Sequence, residues 1–290
     1  MSFTLSTDTA CDIFRNELKA RGIEYIPIHY TVEGVEHYDE FTSDEEIKEF
    51  YGKIRAGEMP TTSQITMPEY EVYFGELLKK YEGDIVHITI SSGITTSPLF
   101  ARRVAANILE ETGRHIYIVD SLSATIGSAH VVDEAQRLRD AGVPAEEAAK
   151  QLEDLVDHIH TWFMPYDLMH LKRGGRISGP SAYIGTALNI KPIIHFDKAG
   201  AMVVVQKKIG SSKGVAAMID IFKNYSIKEP RKVYIASADS DLAEDMLKKA
   251  QAVRPDCDIK IAWIGPVIGS HTGSNAVGIS FVSDKLRDEK

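Results

Sequence analysis

Residues 84–101 read DIVHITISSGITTSPLFA, and this stretch decides the fold. Its first half, residues 85–90, is rich in β-branched side chains and follows Gly83, which predicts a buried strand. Its second half predicts a helix that begins near Pro98, since proline is favoured at the first helical position, and ends at Gly113. The apolar residues between those points recur at helical spacing: Phe100, Val104 and Ile108.

The turn between strand and helix, residues 91–97, carries a hydroxyl at five of its seven positions and contains no acid. A strand that opens into a helix presents free backbone N–H groups and the positive end of the helix dipole. Such a turn suits a carboxylate, a phosphate or another anion. An ordinary capped turn with additional Ser and Thr explains the same pattern, so both interpretations stay open here.

The order of the remaining elements predicts the architecture. The first 160 residues alternate strand and helix patterns, which is typical of a parallel sheet with helices on both faces. Polar residues follow three of these strands, at 7–9, 91–96 and 120–123, and ligands collect at the carboxyl ends of parallel strands. We therefore predict two α/β domains, residues 1–160 with a mainly parallel sheet and residues 161–290 with a mixed sheet and helices. Within the second, Lys198-Ala199-Gly200 predicts a hairpin between two β-rich runs.

Charge and composition exclude several classes of protein. The chain has 290 residues and a net charge of −9, which argues against a general nucleic-acid binder. Residues 172–213 nevertheless carry eight basic side chains and one acid, so this segment is at +7 and the rest at −16. We expect neither a signal peptide nor an integral membrane segment. Two cysteines, Cys11 and Cys257, imply no disulfide framework, and a cytoplasmic location is expected.

The usual cofactor and metal motifs are absent. The sequence has no Walker A loop, no G-x-G-x-x-G and no H-E-x-x-H, so we expect no cofactor and no metal. One histidine is of interest: His271 lies between Gly269 and Gly273, in a segment that we predict to be a loop where backbone approaches a ligand closely. A hydrolase or phosphotransferase that uses Ser92 or Thr95 with His271 remains an alternative.

A series of short motifs, in order along the whole chain, resembles the DegV family. They are Thr7-Asp8-Thr9, Thr62-Ser63-Gln64, Ile90-Ser91-Ser92, Gly174-Gly175-Arg176-Ile177-Ser178, Leu188-Asn189-Ile190-Lys191-Pro192, Ile264-Gly265-Pro266-Val267-Ile268 and His271-Thr272-Gly273. Each motif is weak alone, and their common order carries the resemblance.

The resemblance implies a bacterial fatty-acid-binding protein that has no catalytic activity of its own. Its ligand would be a long-chain fatty acid held between the two domains and presented to a separate fatty acid kinase, which makes an acyl phosphate for phospholipid synthesis. The carboxylate would be bound by turns of the first domain and by the His271 loop of the second: Thr62, Ser63, Ser92, Thr95, Thr96 and His271.

Two further sets of residues follow from this interpretation. We predict that the acyl chain occupies a slot in the second domain lined in part by Tyr183, Ile184, Ala187, Leu188, Ile193 and Ile194. We predict that the kinase contacts the basic segment at Arg173, Arg176, Lys207 and Lys208. Where the family often has an arginine, this chain has Gly210, and Lys207 and Lys208 are its expected substitutes. A regulator that contacts nucleic acid through the basic segment is a second alternative, against which the net charge speaks.

Overall fold

The structure is a computed structural model that describes residues 2–166, 168–177, 189–225, 227–229 and 232–287. The strands are β1 (Thr4–Asp8), β2 (Glu24–Ile26), β3 (His29–Val32), β4 (Val35–Tyr38), β5 (Thr61–Ser63), β6 (Ile85–Thr89), β7 (Ile116–Asp120), β8 (Ile159–Met164), β9 (Ile190–Phe196), β10 (Met202–Ile209), β11 (Lys232–Ser237), β12 (Asp258–Trp263) and β13 (Val277–Val282). The helices are α1 (Arg15–Ala20), α2 (Asp44–Arg55), α3 (Met67–Lys80), α4 (Ser97–Thr112), α5 (Ile126–Asp140), α6 (Ala145–Val156), α7 (Met169–Arg173), α8 (Ser211–Lys223), α9 (Leu242–Val253) and α10 (Pro266–Thr272).

The first sheet is parallel and has the order β2-β1-β6-β7. Its two faces follow from the alternation of side chains along β6, where Ile85 packs with α3 and α4 while Val86 and Ile88 pack with α5 and α6. Because both faces are covered, all five residues of the strand are buried, as its sequence indicated. The predicted parallel sheet with helices on both faces is confirmed.

The second sheet is mixed and has the order β10-β9-β8-β13-β11-β12, in which only the β11–β12 pairing is parallel. Adjacent residues of β8 again serve two cores: Trp162 packs with α8, and Phe163 packs on the opposite face, toward the first half of the chain. The predicted hairpin is β9–β10, with its turn at residues 197–201. The chain passes to the second sheet at β8, but the domain boundary at residue 160 stays a prediction.

A small antiparallel sheet, β4-β3-β5, lies beside these two and carries the Thr62 segment. Ile28, just before β3, and Tyr30 within β3 join the same hydrophobic cluster as Ile85 of the first sheet and Phe163 of the second. This common cluster contains the space in which the candidate site lies.

The structure confirms the predicted helix α4 but not the predicted loop around His271. Helix α4 has Pro98 in its first turn and ends at Gly113, whose φ of 72° is the left-handed conformation that glycine favours. The segment around His271, which we predicted as a loop, forms helix α10. None of the helices in the described ranges combines the length and the apolar character needed to cross a bilayer.

Candidate functional site

A buried carboxylate fixes the start of the turn after β6. Asp8, at the end of β1, accepts hydrogen bonds from Ile90 N (2.7 Å) and Ala10 N (3.0 Å). Burial raises the pKa of Asp8 to about 7, against the opposing effect of these two N–H groups. Asp8 therefore positions Ile90, the residue immediately before the hydroxyl-rich turn.

The β9–β10 hairpin packs directly against the same turn. Ser91 is fully buried, and its hydroxyl donates to Gly200 O at 2.8 Å. A Cβ on Gly93 would lie 2.3 Å from the carbonyl carbon of Gly200, so the two backbones touch. The absence of a side chain at Gly93 is what permits this approach.

Three hydroxyl residues of the turn were predicted to bind the carboxylate. Thr95 lines the pocket described below, and its hydroxyl accepts a hydrogen bond from Ser97 N at 3.3 Å. Thr96 occupies the N-cap position of α4, and its hydroxyl donates to Gln64 Oε1 at 2.6 Å instead of capping the helix. Ser92 is exposed, with its backbone N–H directed at Asp120. The structure thus brings Thr95 to the pocket, while Ser92 and Thr96 lie beside it.

The most distant pair of predicted residues meets directly. Thr62, on β5, and His271, on α10, are joined by a hydrogen bond of 2.8 Å between Oγ1 and Nε2. Both line the pocket, together with Ser63 and Thr95. Four of the six predicted carboxylate ligands therefore lie at one cavity.

The edge of the His271 ring opposite Thr62, at Nδ1, packs against Gly174 of the basic segment. A Cβ on Gly174 would lie 2.2 Å from His271 Nδ1, and this nitrogen has no hydrogen-bond partner among the described residues. Burial, and then the positive charges of Arg176 and His170, lower the pKa of His271 to about 4. The imidazole is therefore neutral at neutral pH.

Arg176, which we predicted at a partner contact, lines the pocket as well. It donates through Nη1 to Gly174 O at 2.6 Å, and no carboxylate of the described chain forms an ion pair with it. Burial lowers the pKa of its guanidinium below the ordinary value, but an arginine stays charged at any physiological pH. Among the described residues that line the pocket, Arg176 is thus the one cation, and it lies near the neutral His271.

The pocket contains about 850 Å³ of space between atoms, including its open mouth. Away from the polar end its wall is apolar. It comes from strands of the second sheet, from α5, α7 and α10, and from loops that follow β2, β5, β6, β7 and β12: Ile28, Ile65, Ile90, Ile94, Ala124, Ile126, Phe163, Leu171, Phe196, Met202, Ala236, Ile264, Val267 and Ile268.

The predicted acyl slot differs from this wall. Ile193 and Ile194 are fully buried, but neither lines the pocket; the hairpin contributes Phe196 and Met202 instead. Tyr183, Ile184, Ala187 and Leu188 lie outside the described residues. Five further polar residues line the pocket that were not predicted as ligands: Gln64, Ser97, Thr125, Thr161 and Thr272. Gln64, Ser97 and Thr272 lie within segments that the sequence had singled out, whereas Thr125 and Thr161 carry no such signal.

The remaining predicted partner contacts lie on the surface. Arg173 and Lys207 are exposed and Lys208 is partly exposed. Gly210, where an arginine was expected from the resemblance, has φ of 87° at the start of α8. A residue with a side chain would be strained in that conformation.

The geometry gives little support to a nucleophilic Ser92 activated by His271. His271 Nε2 is bonded to Thr62, and Ser92 has no hydrogen bond to a histidine among the residues that the structure describes. In the same residues no group of three or more His, Cys, Asp or Glu side chains is placed to hold a metal ion.

The sequence matches a family model described as "Uncharacterised protein, DegV family" over residues 2–284. This chain belongs to the DegV family. A DegV domain-containing protein of Clostridium perfringens is 32% identical over 97% of this chain and 98% of its own length.

Solved structures of DegV proteins share the fold. A fatty-acid-binding DegV family protein of Thermus thermophilus superposes with a TM-score of 0.84 at 26% identity, over 98% of this chain and 100% of its own. DegV of Bacillus subtilis, described as a fatty acid binding protein, gives a TM-score of 0.83 at 26% identity with the same coverage. The two-domain α/β architecture is therefore that of the DegV fold.

Proposed function

We propose that this chain binds a long-chain fatty acid, with the carboxylate at Thr62, Thr95 and His271 and the acyl chain along the apolar wall of the pocket. The observation that carries the proposal is the form of the pocket itself. It is apolar over most of its wall and ends at hydroxyls, one histidine and one arginine. The fatty-acid-binding DegV proteins of similar fold support the same ligand class.

The tail supplies the affinity. Each buried methylene is worth roughly 0.8 kcal/mol, so about 14 methylenes give on the order of 11 kcal/mol before the costs of association. The head group decides which acids enter, because a buried carboxylate without donors would cost several kcal/mol. The hydroxyls of Thr62 and Thr95 are the donors that we assign to it.

We further propose that the protein presents the carboxylate to a separate fatty acid kinase and is not itself an enzyme. Arg176 supports this, because a cation beside His271 that has no carboxylate partner in the described part of the chain suits a phosphate added to the head group. Arg173, Lys207 and Lys208, on the surface, are the side chains that would meet an acidic kinase.

The ligand is tested by mass spectrometry of whatever is released when the purified protein is denatured. A long-chain fatty acid in near-stoichiometric amount is expected. The double variant Thr62→Val/Thr95→Val should bind a fluorescent fatty acid at least tenfold more weakly, whereas Thr112→Val, at the exposed far end of α4, should bind normally. Unchanged affinity in the double variant would refute the head-group assignment.

The kinase role is tested by adding a fatty acid kinase subunit and ATP to the loaded protein. Acyl phosphate is expected only when both proteins are present, and Arg176→Met should abolish it while retaining the fatty acid. Turnover of acyl phosphate by the isolated chain would favour the hydrolase or phosphotransferase alternative.

A further inference from the structure

Arg287, which follows β13 near the end of the chain, is a buried arginine outside the lining of the pocket. Its side chain is 1% exposed. The guanidinium donates to three backbone carbonyls from separate parts of the chain: Leu122 O at 2.6 Å, Val156 O at 2.8 Å and Asp197 O at 3.3 Å. One side chain thus joins the β7–α5 loop, the end of α6 and the β9–β10 hairpin.

The segment that carries Arg287 is itself fixed to the second sheet. Ser283 exchanges hydrogen bonds with His158, through Ser283 N to His158 O (3.0 Å) and through His158 Nδ1 and Ser283 O (3.0 Å). His160 Nε2 lies 3.0 Å from Lys285 O, and Arg287 N donates to Asp157 O at 2.7 Å. The guanidinium is therefore presented from a rigid support.

Its hairpin contact lies at the base of the turn. Asp197 O accepts from Gly200 N at 2.9 Å as well as from Arg287, and the Asp197 side chain accepts from Ala199 N and Ala201 N at 2.9 Å each. A turn in which every one of these groups is paired has little freedom to change shape.

The tip of this hairpin is the part that touches the hydroxyl-rich turn. Gly200 O accepts the Ser91 hydroxyl, and the Gly200 backbone packs on Gly93. Thr95 follows two residues after Gly93, and Met202 follows two residues after Gly200; both line the pocket. A displacement of the hairpin would therefore move a wall of the pocket and release the turn together.

We propose that Arg287 is a positioning residue that latches the β9–β10 hairpin onto the hydroxyl-rich turn and so sets the rate at which a fatty acid leaves the pocket. This inference rests on the proposed function. An arginine suits the task because its planar fork donates in several directions at once, which the single ammonium of lysine cannot do in the same geometry.

The test compares Arg287→Met with a matched control, Arg254→Met. Arg254 also donates to a backbone carbonyl, Tyr225 O at 2.9 Å, but lies outside the lining of the pocket. In the ligand-free protein, we expect Arg287→Met to speed amide hydrogen exchange at residues 197–201 and 91–93, leaving the core strand β6 protected. In the loaded protein, release of a fluorescent fatty acid should become at least tenfold faster in Arg287→Met and stay unchanged in Arg254→Met.

Rescue and a second variant separate a positioning role from general destabilisation. Ethylguanidinium added to Arg287→Ala should restore slow release, which a merely unstable protein would not show. Ser91→Ala removes the other end of the latch and should also speed release; if Arg287→Met does not fold, normal release from Ser91→Ala overturns the inference.

The outcomes distinguish this inference from the proposed function. If the wild-type protein binds no fatty acid, the proposed function is wrong. The inference about release is then wrong as well, whatever the rate of amide exchange in the hairpin. If fatty acid binds but Arg287→Met releases it at the wild-type rate with unaltered exchange at residues 197–201, only the latch is wrong.

Discussion

Thr62 Oγ1 lies 2.8 Å from His271 Nε2, although 209 positions separate the two residues in the sequence. The bond joins strand β5 of the small sheet to helix α10, and both residues line the polar end of the pocket. Its direction matters, because a hydroxyl that donates to the histidine cannot also donate to a carboxylate.

The environment of the ring selects that direction. His271 Nδ1 faces the Cα of Gly174 and has no acceptor among the described residues, so a proton there would be a buried, unpaired donor. We therefore expect the tautomer with hydrogen on Nε2, which donates to Thr62 and leaves the Thr62 hydroxyl proton for the carboxylate. Nitrogen-15 NMR of the ring at pH 7 should show a protonated Nε2; a protonated Nδ1 would reverse the assigned direction.

The fit between Gly174 and the imidazole gives a steric prediction. In Gly174→Ala the new Cβ would lie 2.2 Å from His271 Nδ1, so the ring must move and lengthen its bond to Thr62. We expect fatty-acid affinity to fall about tenfold, equivalent to about 1.4 kcal/mol, in a direct titration.

The matched control for that substitution is Gly75→Ala. Gly75 lies inside helix α3, and a Cβ added there would meet no atom within 4 Å. Alanine should therefore raise the free energy of unfolding by about 0.5–1 kcal/mol without altering affinity. Equal affinities of the Gly174 and Gly75 variants would show that the ring tolerates displacement.

Acid should weaken the contribution of His271 to stability. Because its pKa is about 4 in the folded protein and 6.5 as the ordinary value, the unfolded chain binds more protons between those pH values. The contribution is therefore complete above about pH 6.5 and is lost as pH falls toward 4. Asp8, whose pKa is raised from 3.8 to about 7, acts in the opposite direction over the whole of this range.

The comparison with His271→Gln isolates the effect, since Asp8 is common to both proteins. The difference in unfolding free energy, wild type minus variant, should be constant above pH 6.5 and decrease steadily down to pH 4 in urea titrations. A difference that does not depend on pH would mean that the ring titrates normally in the folded state.

The local elements of the fold were predictable because their signals are local. The strand at 85–89 follows from its β-branched residues, and α4 follows from Pro98 and Gly113. Helix α10 was not predictable in this way, because the three glycines between residues 265 and 273 lower the helix propensity of the segment. Packing explains one of them: a Cβ on Gly269 would lie 2.6 Å from the Tyr51 hydroxyl oxygen, so only glycine admits α10 there.

The site was predictable only in part for a related reason. Hydroxyl-rich turns indicate polar ends, and Thr62, Ser63 and Thr95 do line the pocket. Hydrophobicity predicts that a side chain is buried but not which core it joins. Ile193 packs with α8 in one core, and Ile194 packs in another. The position of Arg176 depends on how the segment after α7 folds over His271, for which a charge pattern gives no direction.

A charged cluster away from the pocket joins the two halves of the chain. Asp133, on α5, accepts from Arg21 at 2.7 Å, from the Tyr234 hydroxyl at 2.6 Å and from Lys232. Burial opposes ionisation of Asp133, yet these partners lower its pKa overall, so the carboxylate is held charged. Arg21 belongs to the first half, whereas Lys232 and Tyr234 belong to β11.

We expect Asp133→Asn to lower the free energy of unfolding by about 2–3 kcal/mol, because two cations and a phenol lose a charged acceptor in a partly buried place. The control is Glu134→Gln on the same helix, whose ion pair with Arg137 is solvent-exposed and should contribute less than about 0.5 kcal/mol. Since the cost depends on charge at Asp133, the gap between the two variants in urea unfolding should be full at pH 7, narrow below the ordinary carboxyl pKa of 3.8 and close below the lowered pKa of the folded protein. A gap that persists there would assign the effect to shape and not to charge.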